Sequence, residues 1–466
     1  MTTETTFDAL IIGTGQAGPS LAVRLAQAGL RTAIVERKRF GGTCVNYGCI
    51  PTKALVACAR AAHVARRAAD FGVMLDGEVR MDMRAVRQRT QKIIQESSGG
   101  VEKWLRSTEG LTVLEGHARF SDPHSIEIEA PNGRRRVRAD RIFVNVGARP
   151  RVPEVPGIDD IEYFTSSSML EVSFLPEHLV VVGGSYVGLE FAQMFRRFGS
   201  RVTVIDRNSR LLVREDPDVS QAIQEILTGE GIDLRLSADC IQVSKSANGV
   251  QVGVDCGEGA PTVVGSHVLF ATGRLPNTHD LNADAAGLRL DERGLIPVDE
   301  NLRTNLDHVW ALGEVNGRGA FTHTTYNDYE IAAANLLDDD PRSVGDRILC
   351  YGLFVDPPLA RIGMTEGQGR ESGRDVLMGR MKMQRVGRAK ERGETQGFMK
   401  VLVDAGTKRI LGAALLGIEA DEVVHCLLDV MYADAPYTTI QRAVHIHPTV
   451  SELIPTLLGD LRPLSA

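Results

Sequence analysis

The segment "FDALIIGTGQAGPSLAVRLAQAGLRTAIVER", residues 7–37, contains the pattern that decides the fold. A short apolar strand leads into Gly13-x-Gly15-x-x-Gly18, a helix follows, and a second apolar strand ends on Glu36. In such a unit the glycines allow a tight turn, the close approach of a pyrophosphate, and contact between helix and strand. The helix N-terminus favours the phosphate charge, and the terminal acid accepts hydrogen bonds from ribose hydroxyls. The segment therefore predicts a dinucleotide site in an α/β domain.

The same unit is repeated farther along the chain, at residues 178–207. Here the pattern is Gly183-x-Ser185-x-x-Gly188, in which a serine replaces the middle glycine. Asp206 follows the first glycine by 23 residues, which is also the offset of the acid in the first unit. An identical offset indicates a duplicated fold.

A second landmark also occurs twice. The sequences "NVGARP" and "ATGRLPN" each follow an apolar strand, and they contain Gly147 and Gly273. Two dinucleotide sites in one chain suggest an electron relay, most simply between a nicotinamide and a flavin.

The segment "GGTCVNYGCIPTK", residues 41–53, contains a close pair of cysteines, Cys44 and Cys49. A zinc site is disfavoured, because a closed site needs about four Cys or His ligands and the sequence has no second such pair. On a regular helix the two side chains would point about 140° apart, so we expect an irregular turn at Gly48 and Pro51. A helix starting there places both sulfurs near its N-terminus, which favours a thiolate. A structural crosslink and a redox pair remain open at this point.

The order of the motifs resembles one protein family. A nucleotide motif, a cysteine pair and a second nucleotide motif are typical of the pyridine nucleotide–disulfide oxidoreductases, the flavoprotein group of glutathione reductase, dihydrolipoamide dehydrogenase and mercuric reductase. "HVWALGE" at 308–314 resembles the family's second flavin-binding segment, and "HIHPTVSE" at 445–452 resembles its C-terminal acid–base motif. The resemblance covers essentially the whole chain. It implies FAD in the first nucleotide site and NADPH or NADH in the second.

The resemblance also implies roles for the cysteine pair and its neighbours. Cys44 would attack a disulfide substrate, and Cys49 would lie against the flavin. Lys53 is expected near the reactive flavin nitrogen, paired with Glu190. Tyr186 is expected to shield the flavin until nicotinamide arrives. Electrons would pass from nicotinamide through FAD and the cysteine pair to a small disulfide or oxidised thiol.

A histidine near the C-terminus completes the implied site. His447 would exchange protons with the thiols, oriented by Glu452. Because the family's histidine reaches the active site of the other subunit, the resemblance implies a homodimer with shared sites. His445 is expected to be structural.

The remaining assignments by resemblance are cofactor contacts. Those expected for FAD are Gly13, Gly15, Gly18, Glu36, Thr43, Gly147, Gly313 and Glu314, the last standing where the family usually has Asp. Those expected for the nicotinamide cofactor are Gly183, Tyr186, Gly188, Asp206, Arg207, Arg210 and Gly273. Asp206 favours NADH, whereas the two arginines favour NADPH, and two cations against one acid lead us to expect NADPH.

These motifs predict an α/β chain with two Rossmann-like dinucleotide-binding domains and an α+β C-terminal dimerisation domain. The expected FAD domain covers 1–155 and 275–345, the nicotinamide domain 156–274, and the dimerisation domain 346–466. In the last domain the runs "ARIGMTE", "GFMKVLV" and "RILGAALLG" predict a meander. Segment 70–105 is predicted to be helical.

Composition limits the partners and the location. Lys plus Arg number 53 against 60 Asp plus Glu, and the resulting net charge of −7 disfavours nucleic acid. The basic run "GRRRVR" at 133–138 follows turn residues and predicts an exposed hairpin. No run approaches the ~18 apolar residues of a membrane span, and no signal peptide is recognisable, so we expect a cytoplasmic protein. The other cysteines are predicted to be buried small hydrophobic residues: Cys58, Cys240, Cys256, Cys350 and Cys426.

The substrate and the direction of the reaction stay open. His323 resembles a histidine of dihydrolipoamide dehydrogenases, which oxidise a dithiol, and a mercuric-reductase-like reduction of a metal or oxidant is a further alternative. Tyr47, between the two cysteines, departs from the small aliphatic residue usual there. A flavin monooxygenase would need no cysteine pair. A scaffold without turnover would not need the complete set of Cys44, Cys49, His447 and Glu452.

Overall fold

The computed structural model describes residues 5–131, 133–238, 241–254 and 261–464. Its strands are β1 Thr5–Ile12, β2 Thr32–Glu36, β3 Leu111–Glu115, β4 His117–Asp122, β5 Ser125–Ala130, β6 Gly133–Val144, β7 Ala148–Pro150, β8 Phe164–Thr165, β9 His178–Val182, β10 Arg201–Ile205, β11 Asp233–Arg235, β12 Gln242–Ser246, β13 Gly249–Gly253, β14 Thr262–Gly265, β15 His267–Phe270, β16 Arg274–Pro276, β17 Val309–Ala311, β18 Cys350–Leu353, β19 Leu359–Gly363, β20 Val376–Lys382, β21 Phe398–Asp404, β22 Ile410–Leu416 and β23 Arg462–Pro463. Its α-helices are α1 Gly18–Gln27, α2 Gly42–Asn46, α3 Cys49–Arg66, α4 Met83–Ser107, α5 Tyr186–Phe198, α6 Pro217–Gly229, α7 Ala283–Ala286, α8 Thr322–Ala333, α9 Glu366–Glu371, α10 Gly387–Glu391, α11 Ala420–Val423, α12 His425–Tyr432, α13 Thr438–Gln441 and α14 Ile454–Leu458.

The first glycine motif lies in a sheet of strand order β3-β2-β1-β6-β5-β4, with β17 also paired to β6. Strands β3, β2, β1, β6 and β17 run parallel, whereas β4 and β5 are antiparallel additions. Parallel strands are covered on both faces, which explains the buried apolar ends "ALII" of β1 and "IFV" of β6. Helices α1 and α8 pack on one face, and β4, β5 and the segment around α7 cover the other.

The second glycine motif lies in a parallel sheet of order β11-β10-β9-β15-β8. Helix α5 packs on one face of this sheet, and the small antiparallel sheet β12-β13-β14 covers the other. In both sheets a glycine loop joins the central strand to its helix, and the next strand lies beside the first. The predicted duplication of a Rossmann-like unit is therefore confirmed.

The C-terminal part forms an antiparallel sheet of order β18-β19-β22-β21-β20-β23, with α11, α12 and α14 packed against it. The three strands predicted there are β19, β21 and β22, but their expected order as a simple meander is wrong. Hairpins join β20 to β21 and β21 to β22. Strand β19 therefore pairs with the edge of β22 that faces away from β21.

Two local predictions have different outcomes. The basic run lies in a β5–β6 hairpin, where Arg134 lies within 4 Å of Glu127 and Glu129, at 3.7 and 3.6 Å. The helix predicted over 70–105 is wrong in its first part, because α4 begins only at Met83, where the Asp82 side chain accepts hydrogen bonds from the first turn.

The single cysteines are less buried than predicted. Cys58, Cys350 and Cys426 are half-buried free thiols, because each lies at the margin of a hydrophobic cluster. Cys240 and Cys256 lie outside the described residues. No helix in the described part of the chain is both long and apolar enough to cross a membrane.

A buried charge network joins the unit of the second glycine motif to the C-terminal sheet. Lys400 on β21 is 1% exposed, and its Nζ lies 3.1 Å from Asp216, 2.9 Å from Asp218 and 2.8 Å from Glu366. Arg361 on β19 also contacts Asp216, at 2.9 Å. Burial alone would raise the pKa of Asp216, but these two cations lower it to about 2. The Asp216 carboxylate therefore stays ionised, and Lys400 Nζ lies where oxygens of Asp216, Asp218 and Glu366 converge.

We predict that Lys400→Met lowers the free energy of unfolding by about 3–5 kcal/mol, because it removes the buried ammonium group on which three carboxylates converge. Urea denaturation of the protein measures this. Lys390→Met, at an exposed lysine in α10, is the matched control and should change stability by less than about 0.5 kcal/mol. Equal effects of the two substitutions would contradict a stabilising role for the network.

Candidate functional site

The first glycine loop has no room for side chains. Gly13 has φ +102°, and a Cβ there would lie 2.4 Å from the Asn145 carbonyl oxygen. A Cβ on Gly18 would lie 2.3 Å from the carbonyl oxygen of Gly13, and one on Gly15 would lie 2.8 Å from Asn145 Oδ1. The same Oδ1 accepts a hydrogen bond from the Gly18 amide at 3.1 Å. Asn145, which begins the "NVGARP" element, thus holds the loop in shape.

The second loop repeats this geometry. Gly183 has φ +119°, and its Cβ would lie 2.5 Å from the Ala271 carbonyl oxygen; a Cβ on Gly188 would lie 1.9 Å from the Gly183 carbonyl oxygen. Gly147 and Gly273 follow the corresponding strands with φ of +62° and +121°. The recurring landmarks of the sequence therefore occupy matching positions in the two sheets.

The two acids end the second strand of each unit and contact the loop. Glu36 accepts hydrogen bonds from the amides of Thr14, at 3.1 Å, and Lys38, at 2.8 Å. Asp206 accepts from the amides of Gly184 and Asn208. Each carboxylate is therefore fixed at the end of the loop where a ribose would lie.

These residues fit a bound dinucleotide. The first loop lines a cleft with Glu36, Gly116, Asn145 and Asp280, and the N-terminus of α1 points its free amides towards the loop. A cleft with backbone donors at one end and a fixed carboxylate at the other matches a pyrophosphate and a ribose.

The cysteine segment passes directly beside this loop. A Cβ on Gly42 would lie 2.7 Å from the Gly15 Cα, and the Thr43 hydroxyl lies 3.5 Å from the Ala148 carbonyl oxygen, at the limit of a hydrogen bond. Helix α2 ends before Tyr47, and α3 begins at Cys49. The irregular turn predicted around Gly48 is therefore present. The Tyr47 ring lies under the Arg39 guanidinium, with 5.6 Å between them.

Cys44 and Cys49 are a hydrogen-bonded dithiol. The bond from Cys44, the Thr322 hydroxyl 3.1 Å from the sulfur and the Lys53 charge together lower the pKa of Cys49 to about 6, although burial acts to raise it. The same bond, together with burial, raises the pKa of Cys44. Near neutral pH the pair therefore consists of a Cys49 thiolate and a protonated Cys44.

Lys53 and Glu190 form the expected ion pair. Lys53 Nζ lies 3.0 and 2.8 Å from the two carboxylate oxygens of Glu190. Glu190 is 7% exposed and also accepts a hydrogen bond from the Phe354 amide at 3.0 Å. The pair joins α3, which carries Cys49, to α5, which follows the second glycine loop.

Aromatic rings surround the first residue of α5. Tyr186 packs edge-on against Phe321 and Tyr351, with ring centroids 6.4 and 5.6 Å away. Phe321 precedes Thr322, the residue that contacts Cys49. Tyr186 therefore lies beside the cysteine pair. His323 stacks on the other side of Phe321, and burial lowers its pKa.

Glu314 is paired with an arginine of the second repeated element. Its carboxylate accepts a hydrogen bond from Arg274 Nε at 2.7 Å, and Arg274 also donates to the Ala148 carbonyl at 2.6 Å. Gly313 has φ +78°, and its amide donates to the buried Asp328 at 2.7 Å. Arg274 thus links Glu314 and the element that contains Gly273 to the element that contains Gly147.

The two arginines expected at the second site differ in their surroundings. Arg210 donates to the carbonyls of Glu215 and Val213 and to the Ser220 hydroxyl, at 2.8, 3.0 and 3.0 Å. Arg207 is exposed, and within the described residues it has no hydrogen-bond or ion-pair partner. Arg210 therefore orders its own loop, whereas Arg207 is free to contact a ligand.

His447 and Glu452 pair as predicted, with 2.7 Å between Nδ1 and Oε2. The His447 side chain is 81% exposed and Glu452 only 16%. In the described single chain no hydrogen bond links His447 to either cysteine. The neighbouring Val444 and Ile446 are 100% and 80% exposed. His445 contacts only its own loop, at the Ala443 carbonyl oxygen.

Four contributing residues were not predicted: Asn145, Glu215, Thr322 and Tyr351. Asn145 could have been found, because it begins a repeated element. The other three lie far in sequence from the groups that they contact and are not part of any recognisable spacing.

Comparison with known proteins agrees with this geometry. The description "Pyridine nucleotide-disulphide oxidoreductase" matches residues 7–332, and its "dimerisation domain" matches 350–458. The probable pyridine nucleotide-disulfide oxidoreductase RclA of Escherichia coli (strain K12) is 38% identical over 97% of this chain and 99% of its own. The mercuric reductase of Streptomyces lividans is 32% identical over 99% and 98%. A solved structure, the Cu(II) complex of HOCl-induced flavoprotein disulfide reductase RclA from Escherichia coli, has a TM-score of 0.89 at 36% identity and covers 98% and 99%.

The dimerisation-domain match supports a homodimer. Both family matches, and relatives of nearly equal length, span the chain. The chain therefore belongs to the pyridine nucleotide-disulphide oxidoreductases, the flavoproteins that use FAD and NAD(P)H.

Proposed function

We propose that the chain reduces a small disulfide or oxidised thiol with electrons from a nicotinamide cofactor, through the Cys44–Cys49 pair. The observation that carries this proposal is the set of groups around the Cys49 sulfur. The Thr322 hydroxyl lies 3.1 Å from it, Lys53 follows one helical turn later, held by Glu190, and both groups lower the pKa of Cys49. Stabilising a thiolate serves thiol–disulfide exchange, whereas a structural crosslink does not need it.

Each residue has a defined part in this proposal. Bound FAD supplies the two-electron link between nicotinamide and the cysteine pair. Cys44, once deprotonated, attacks one sulfur of the substrate and releases the other half as a thiol. Cys49 thiolate then attacks Cys44 in this mixed disulfide, which releases the second half and leaves a Cys44–Cys49 disulfide. Two electrons thus leave the pair for the substrate. Lys53, oriented by Glu190, keeps a positive charge beside Cys49.

The first step requires a base, because Cys44 is protonated at rest. His447 is oriented by Glu452, its side chain is 81% exposed, and within the described chain no hydrogen bond links it to either cysteine. We therefore assign it to the active site of the partner subunit, where it accepts the Cys44 proton and returns it to the leaving thiolate.

The cofactor positions follow from the two glycine loops. We assign FAD to the domain of 1–155 and 275–345, with contacts at the first loop, Thr43 and Glu314. We assign the nicotinamide cofactor to 156–274, and 346–466 to dimerisation. NADPH remains the proposed donor, but Arg207 is the cation that selects it, since the Arg210 guanidinium is already occupied.

A second candidate substrate is a soft metal ion. A relative is a mercuric reductase, and another relative is described as a Cu(II) complex. A dithiol is a suitable ligand for soft ions, so Cu(II) and Hg(II) belong in the substrate tests. The oxidation of dihydrolipoamide is the reverse reaction of the same pair. The proposed location is the cytoplasm, where thiols remain reduced.

The substrate class is tested by measuring the turnover of a panel of candidate substrates with NADPH and, separately, with NADH as the electron donor. The panel contains lipoamide, glutathione disulfide, cystine, Cu(II), Hg(II) and hypochlorous acid. We expect turnover with a disulfide, and we expect Cys44→Ser to lower it by about a thousandfold or more. Cys58→Ser, at a half-buried free thiol in helix α3, is the matched control and should leave the rate unchanged. Disulfide reduction that survives Cys44→Ser would reject the proposal, and a tenfold preference for NADH would reject the NADPH assignment.

The shared site is tested with hybrid dimers. Homodimers of Cys44→Ser and of His447→Gln should both be nearly inactive. A hybrid of the two regains one complete site, which combines the intact cysteines of one chain with the intact His447 of the other. Mixing and re-forming the dimers should therefore restore activity. If His447 served its own chain, no hybrid would contain a complete site and activity would stay absent.

A further inference from the structure

Glu215 lies at the centre of a buried cluster that the roles above do not use. Its side chain is fully buried, and four donors contact it. Tyr186 donates to Oε1 at 3.0 Å, and Tyr351 donates to the same oxygen at 2.5 Å. Arg361 donates to Oε2 from Nε at 3.1 Å and from Nη2 at 2.9 Å. We call Tyr186, Glu215, Tyr351 and Arg361 the Glu215 cluster.

The two tyrosines of the cluster are hydrogen-bond donors at neutral pH. Burial and the Glu215 charge raise the pKa of Tyr186, and they raise that of Tyr351 to about 12. Two phenols therefore share one carboxylate oxygen. Tyr351 lies in strand β18 of the C-terminal sheet, whereas Tyr186 begins helix α5.

The carboxylate itself cannot follow a moving tyrosine. Arg361 is 1% exposed and contacts Asp216 as well as Glu215, and Asp216 is in turn held by Lys400. Glu215 is thus anchored to the C-terminal sheet on its Oε2 side. Any displacement of the Tyr186 ring breaks the bond to Oε1 and leaves the other three in place.

We propose that the Glu215 cluster sets how readily the nicotinamide ring reaches the redox centre. The proposal rests on the proposed function and on the role that the family resemblance implies for Tyr186, which is to shield the flavin until nicotinamide arrives. Glu215 holds Tyr186 in the covering position. Tyr351 keeps Oε1 hydrogen-bonded after Tyr186 has left. Glu215 and Tyr351 are therefore positioning residues that act through Tyr186.

The two hydroxyls should have opposite effects on nicotinamide binding. Removing the Tyr186 hydroxyl weakens only the covering position, so binding becomes tighter. Removing the Tyr351 hydroxyl leaves a buried carboxylate oxygen without a donor once Tyr186 moves, so opening becomes harder and binding weaker. In the double variant Oε1 lacks both donors in either position, and the penalty from Tyr351 disappears.

The test is calorimetric titration of the FAD-loaded homodimer with NADP⁺ and, separately, with NAD⁺. For the preferred nucleotide, Tyr186→Phe should lower Kd about fivefold and Tyr351→Phe should raise it about tenfold. Adding Tyr351→Phe to Tyr186→Phe should change Kd less than twofold relative to Tyr186→Phe alone. In steady state the same opposite changes should appear in KM for the reduced nucleotide.

ADP-ribose serves as the control ligand, because it lacks the nicotinamide ring and does not require Tyr186 to move. Its Kd should be the same in all variants. Tyr163→Phe is the control variant, since its ring packs on Phe270 away from the cluster. Changes of the same sign in both single variants, no change in either, or equal changes for ADP-ribose would overturn the proposal. If any of these results is obtained while turnover still depends on Cys44, only the proposal about the Glu215 cluster is rejected. Turnover that does not depend on Cys44 would reject the proposed function itself.

Discussion

The hydrogen bond from Cys44 to Cys49 is the interaction on which the site depends. It makes two chemically identical thiols unequal, because the donor keeps its proton and the acceptor gains a stable negative charge. The Thr322 hydroxyl, 3.1 Å from the Cys49 sulfur, and the Lys53 charge also favour the Cys49 thiolate. Attack by Cys44 then requires a base, and we propose His447, paired with Glu452, for that role.

Holding this pair in place takes both nucleotide units and the C-terminal sheet. Cys49 begins α3, Lys53 follows one turn later, and its partner Glu190 lies on α5 behind the second glycine loop. The same helix α5 begins with Tyr186, whose hydroxyl is bonded to Glu215 and through it to Arg361 on β19. The redox pair, the proposed nicotinamide path and the proposed dimerisation domain are thus connected by buried polar contacts.

Local patterns were sufficient to predict much of this arrangement. Gly13, Gly18, Gly183 and Gly188 have positions that no side chain can share, so their spacing directly reflects the two loops. The Lys53–Glu190 and His447–Glu452 pairs were found through the family resemblance and are present. The predictions that were wrong or missing concern contacts between distant segments of the chain. Three features depend on packing between segments that are far apart in the sequence: the pairing of β19 with β22, the start of α4 at Met83, and the Glu215 cluster. Arg210 was misleading for the same reason, since its partners lie in its own folded loop.

The pH dependence of the Cys49 thiolate tests the account most directly. Two-electron reduced, FAD-loaded protein is titrated anaerobically while the long-wavelength thiolate–flavin absorption band is recorded. Since the pKa of Cys49 is lowered to about 6, the band should be strong at neutral pH, fade as the pH falls through about 6, and be absent in Cys49→Ala. Thr322→Val removes a donor to the thiolate and should move the midpoint upward. A midpoint near the ordinary thiol value of 9.0, or one that Thr322→Val leaves unchanged, would contradict the account.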